Sequence, residues 1–154
     1  LGDVYKRHVF THDGYVTGDY RNAPDVITSG YQLINQSYTP AAANSTKVLF
    51  SSSVVMAEDT NQNNNFWLAL WNGTTFVSAV SGSPRYLNFR DNLNATTLNY
   101  VGSFSAGNTN ARNIQMRCGA NAGTATTIHI NGNANGSYSG SSNRFTLFLA
   151  ELAP

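Results

Sequence analysis

The stretch from Thr126 to Leu152, TTIHINGNANGSYSGSSNRFTLFLAEL, constrains this chain more than any other, because a polar Gly/Asn/Ser loop runs into a strand that is apolar on both faces. Between Arg144 and Leu152 one set of alternate residues is Phe145, Leu147 and Leu149, and the other is Phe148, Ala150 and Leu152. A half-buried antiparallel strand alternates apolar with polar residues, so this one has a second face to cover once the first has met its own core. That second face points to a partner chain, or to a central strand with both sides buried inside one sandwich.

Composition narrows the classes. The 154 residues have single-domain length, and 41% hydrophobic content supplies one sizeable core without staples. Only 11% of residues are charged, against about 25% in ordinary domains, so neutral amides and hydroxyls must wet the surface. A net charge of +1 with no Lys/Arg cluster gives no footprint for nucleic acid. The longest apolar run, Phe66 to Trp71, is too short for membrane insertion as a helix, which needs roughly 18 residues. Cys118 is alone, so no intrachain disulfide forms, and its alternation with Ile114 and Met116 reads as a small core hydrophobe. Five Asn-x-Ser/Thr triplets, at Asn35, Asn44, Asn72, Asn94 and Asn135, are about what 20 Asn and 30 Ser or Thr give by chance. The sequence begins at Leu1 and reads as a piece of something longer.

Two segments differ in character. Residues 1 to 30 hold seven of the 17 charged residues and two of the three histidines, with no sustained period of 2 or 3.6, and read as a connector or extended arm. From residue 31 to 154 short apolar runs alternate with Asn, Gly, Ser and Pro clusters, the punctuation of an all-β domain. Strands are expected near 31 to 38, 47 to 56, 65 to 71, 74 to 80, 96 to 105, 111 to 118, 126 to 130 and 144 to 152. Asn72-Gly73 between two apolar runs predicts a type I′ hairpin turn with both residues at positive φ. The preceding strand again has two apolar sets, Phe66, Leu68, Leu70 and Trp67, Ala69, Trp71, and its Trp face is open to solvent or ligand. Some eight to ten short strands predict an antiparallel jelly-roll sandwich.

The succession SYTPAAANSTKVLFSSSVVMAED (37 to 59), FWLALWNGTTFV (66 to 77), ARNIQMRCGA (111 to 120), TTIHINGNANG and RFTLFLAEL resembles the C-terminal jelly-roll domains of bacteriophage tail fibres and tailspikes. Those domains are in turn similar to the tumour necrosis factor and complement globular-head superfamily. The resemblance covers roughly Tyr31 to Leu152 and rests on strands and turns, not on catalytic signatures. It implies a homotrimer on the virion tail tip, outside the cell, with Phe148, Ala150 and Leu152 near the threefold axis and Phe145, Leu147 and Leu149 in the subunit core.

No catalytic constellation stands out, and no enzyme activity is expected. The only adjacent carboxylates, Glu58 and Asp59, point to opposite faces of a strand end, and nothing brings Asp91 or Glu151 to a second carboxylate. His8, His12 and Asp13 lack the helix that would make them metal ligands, His129 belongs on the polar face of its strand, and the run Glu58 to Asn65 has no calcium-loop pattern. No cofactor and no metal are expected. What remains is a surface for neutral polar ligands, where Trp67, Trp71, Tyr86 and Tyr138 are the candidate stacking rings for a bacterial surface polysaccharide or other receptor. The loops 58 to 65, 81 to 95 and 131 to 143 are the expected contact surfaces. Two functions follow: a host-recognition module that binds a glycan as a trimer, or a purely structural trimerisation and folding cap for an upstream fibre or depolymerase domain.

Overall fold

The fold is that of a computed structural model. It describes residues 4–12, 14, 16–18, 20, 23–26, 28–41, 47–58, 66–82, 94–102, 109–120, 127–133, 136–137 and 145–152. Twelve strands and no helix occur among them: β1 (Val4–His12), β2 (Val16–Gly18), β3 (Tyr31–Tyr38), β4 (Lys47–Glu58), β5 (Phe66–Asn72), β6 (Thr75–Gly82), β7 (Asn94–Gly102), β8 (Arg112–Ala120), β9 (Ile128–Ile130), β10 (Gly132–Asn133), β11 (Gly136–Ser137) and β12 (Phe145–Leu152).

Eight long strands divide between two antiparallel sheets. The first runs β1-β12-β4-β7, with short β9 and β2 extending it beside the far end of β4; the second runs β3-β8-β5-β6. The chain therefore steps back and forth between sheets in the double Greek key of a jelly roll. Alternation explains the layers. In β8, Ile114, Met116, Cys118 and Ala120 face inward and are fully buried, while Asn113 is exposed. In β4, Val48, Phe50, Val54 and Met56 face the same core from the opposite sheet, joined by Phe145, Leu147 and Leu149 of β12. The core thickness is set by these interdigitating rows, and removing a buried Phe or Leu from it costs about 2–5 kcal/mol.

The strands expected from sequence are present to within a few residues, and the all-β jelly roll stands. Part of the segment read as a connector or extended arm packs on the domain: Val4–His12 pairs with β12 from Val4↔Leu152 to His12↔Phe145 and forms the edge of the first sheet. The bend into β2 is held by Asn131, whose Nδ2 donates to the His12 and Gly14 carbonyls at 3.1 Å each while its own backbone takes φ 60°. Charged residues hid this strand because an edge strand with polar neighbours carries little periodicity.

The hairpin also differs in detail. β5 and β6 pair directly, but Asn72 pairs with Thr75, so the two turn residues are Gly73 and Thr74, and only Gly73 has positive φ (58°). Glycine at the first turn position is the pattern of a II′ turn, not I′. A register shift between Leu70 and Trp71 absorbs the one-residue slip and keeps Trp71 opposite Phe76.

Candidate functional site

Each sheet has an inner face on the shared core and an outer face, and it is the two outer faces that decide what the domain can meet. On the first sheet, strand register sets out rows. Val9, Phe148, Ser51 and Asn99 lie side by side across β1, β12, β4 and β7, and the next row carries Arg7, Ala150, Leu49 and Val101. Val9 is 62% exposed and Val101 57% exposed, with Phe148 and Leu49 half-buried between them. A third row is Thr11, Thr146, Ser53 and Thr97. The polar groups of this face already bond one another: Ser51 Oγ donates to Asn99 Oδ1 at 2.7 Å and Thr97 Oγ1 to Ser53 Oγ at 3.2 Å. Covering these two pairs costs less than covering unpaired hydroxyls and amides, because each already holds one hydrogen bond.

Of the residues assigned to the partner-facing set, only part behaves as expected. Phe148 is half-buried and available, but Ala150 is 1% exposed and already covered within its own chain. The side chain of Leu152 lies outside the described residues. The exposed apolar surface comes instead from Val9 and Val101, which no local pattern singles out.

The outer face of the second sheet is different. Trp67 and Ala69 are fully buried and Trp71 is 3% exposed, so the expectation that these indoles present a face to a ligand fails. The segment leading into β3 supplies the cover for Trp67. Ala120 N donates to Tyr20 O at 2.9 Å, and the Arg117 guanidinium donates to the carbonyls of Ser29 at 2.8 Å and Gly30 at 3.1 Å. Gly30 sits at φ +66° against the Trp67 ring, and a Cβ there or on Gly119 would collide with that indole. Trp71 is covered otherwise: Phe76 meets it edge-on with ring centroids 5.4 Å apart, and Gln115, its neighbour on β8, reaches past the strand to donate from Nε2 to Gly73 O at 3.1 Å. Tyr86 and Tyr138 lie outside the described residues, as do most of the three loops expected to make contacts.

Titratable groups serve the fold. Glu151 faces inward and is fully buried, where its carboxylate accepts from the Tyr38 hydroxyl and from Ala41 N at 2.9 and 3.1 Å. No second carboxylate joins it among the described residues, and the arrangement ties the β3–β4 connection to β12. Burial, then the bond to Glu151, pushes the Tyr38 phenol well above its ordinary range. Burial likewise pushes the Cys118 thiol up, which keeps it protonated and unreactive within the core. His12 Nε2 lies 3.0 Å from the Tyr31 hydroxyl at the rim between the sheets, with the Tyr20 ring 5.1 Å beyond. His129 shares no face with Ile128 and Ile130, as expected, but it is buried, not solvated. Asp13, Asp59 and residues 61 to 65 lie outside the described residues, as do the side chains of His8 and Glu58.

With this geometry in view, the likeness to known structures can be placed. The fold is similar to that of Eiger TNF from S. frugiperda, at 14% identity over 96% of this chain and 92% of that one, with a TM-score of 0.54. Weaker likenesses are to dimeric latent PorU from Porphyromonas gingivalis (TM-score 0.47, 8% identity, 99% of this chain and 13% of that one) and to the C-terminal domain of EclA, a sugar-binding protein (TM-score 0.38, 12% identity, 77% and 74%). No family profile and no curated protein matches the sequence. The jelly roll is thus TNF-like in fold.

Proposed function

We propose that this chain is a homotrimeric jelly-roll module of a bacteriophage tail fibre or tailspike, which acts by binding and not by catalysis. Three copies meet through the outer face of the first sheet, and the surfaces left outside the trimer recognise a neutral bacterial surface glycan. The observation that carries assembly is that face itself: two exposed valines, a half-buried Phe and Leu between them, and two polar pairs that already bond across strands. An apolar patch on a sheet face can meet a second copy of itself in a closed symmetric contact, which favours self-association.

Size-exclusion chromatography with light scattering tests it, a trimer at micromolar concentration being the expected result and a monomer the contrary one. The second reading, a purely structural trimerisation cap, is favoured by the burial of Trp67 and Trp71, since the most obvious stacking rings are unavailable. A glycan array separates the two, because a structural cap trimerises without saturable binding.

A further inference from the structure

Four large apolar side chains are exposed among the described residues, and Val9 and Val101 belong to the assembly face. Phe76, at 39% exposure, stands on the opposite side of the sandwich, and its neighbours are unusual. Strand register aligns Phe76, Trp71, Gln115 and Asn35 in one row across β6, β5, β8 and β3. Ser37 and Asn113 pair in the adjoining row, and Asn35, Ser37 and Asn113 are all exposed. With strands about 4.8 Å apart, the row spans roughly 14 Å, the reach of a short oligosaccharide.

Resting on the glycan-binding reading above, we infer that this row is the saccharide site, with the exposed Phe76 ring as the stacking platform and the amides of Asn35, Asn113 and Gln115 as the hydroxyl partners. The chemistry selects a neutral ligand. Among the described residues no carboxylate pairs into the row, and Arg117, the guanidinium on the same face of β8, is engaged by Ser29 O, Gly30 O and Gln32 Oε1. An apolar sugar face needs a ring and its rim needs amides, and both are here side by side. The site also faces away from the assembly face, so a trimer would carry three copies of it outward, and multivalent binding to a repeating polysaccharide would follow.

The geometry supplies its own reporter, because both tryptophans of the chain, Trp67 and Trp71, lie on this face. The experiment titrates the full chain with neutral oligosaccharides identified on a glycan array, with acidic oligosaccharides alongside, while following tryptophan emission. Expected is saturable binding of a neutral glycan with a shift in emission, weakened about tenfold in Phe76→Ala, about fivefold in Asn35→Ala, and restored in Phe76→Tyr. Thermal melting of each variant keeps the result interpretable, and Phe76→Tyr holds the packing on Trp71. Neutral-glycan binding that survives Phe76→Ala, or that leaves emission unmoved, overturns this site while the glycan reading stands. Selective binding of acidic glycans overturns the assigned ligand class. No binding to any glycan overturns both and leaves the structural cap.

Discussion

β5 and β12 are the two strands whose sequences are apolar on both faces, and the structure treats their second faces differently. Behind β5, Trp67, Ala69 and Trp71 are shut in by the 20–30 segment, Phe76 and Gln115, all from the same chain. Behind β12, Ala150 is covered but Phe148 stays half-open, between valines that are more than half exposed. Double-sided apolar patterning therefore says that a strand will be covered twice, and is silent on whose atoms do the covering. For β5 the cover came from residues that had looked like a connector.

The largest effect that could break this comparison is on the closed side. Trp67→Ala should lower stability by about 3–5 kcal/mol in chemical denaturation, since it empties a fully buried indole site. A loss below about 1 kcal/mol would mean that the 20–30 segment does not seal it. Next comes the shared core between the faces. The folded state holds the Cys118 thiol and Tyr38 phenol protonated above their ordinary values of 9.0 and 10.0, so their contribution is whole below about pH 9. Above those values the unfolded chain releases protons that the folded chain keeps, and stability falls by about 1.4 kcal/mol per pH unit per group. Denaturant midpoints between pH 8 and 11 should show that decline, with Cys118→Ala removing the part that begins near 9.

Smaller effects sharpen the contrast. Gly73→Ala, at the turn beside Phe76, meets no atom within 4 Å, so only its left-handed backbone opposes it, and a loss of about 1 kcal/mol is expected in the same assay. Smallest for the isolated chain is Val9→Ser with Val101→Ser. Each should change monomer stability by no more than about 0.5 kcal/mol, yet together they should shift the light-scattering mass from trimer toward monomer. If the mass is unchanged, the open face is not the assembly face.

Much of the fold was legible because antiparallel strands with one buried face write their alternation into the chain, as in Ile114, Met116 and Cys118 of β8. β1 was not, since Val4–His12 is held by pairing with β12 across the whole length of the chain, and long-range hydrogen bonds leave no local mark. The candidate sites were less legible still. Trp67 and Trp71 drew attention as aromatic residues, but a ring's availability depends on what the rest of the chain lays over it. Phe76 escaped notice for the converse reason: a phenylalanine after a hairpin reads as core, and a register shift at Leu70/Trp71 is what turns it outward beside Trp71.

By itself, then, the sequence determined the class, the strands, the core rows and the need for a second cover behind β5 and β12, because composition and period 2 act locally along the chain. Tertiary structure decided that residues 4–12 join the first sheet, that Glu151 is a buried clamp for Tyr38 and Ala41, and which apolar face is left open. These depend on contacts between residues far apart in the chain, 113 residues for Tyr38 and Glu151 and more for Val4 and Leu152, and such contacts are chosen by the folded geometry rather than by any neighbouring residue.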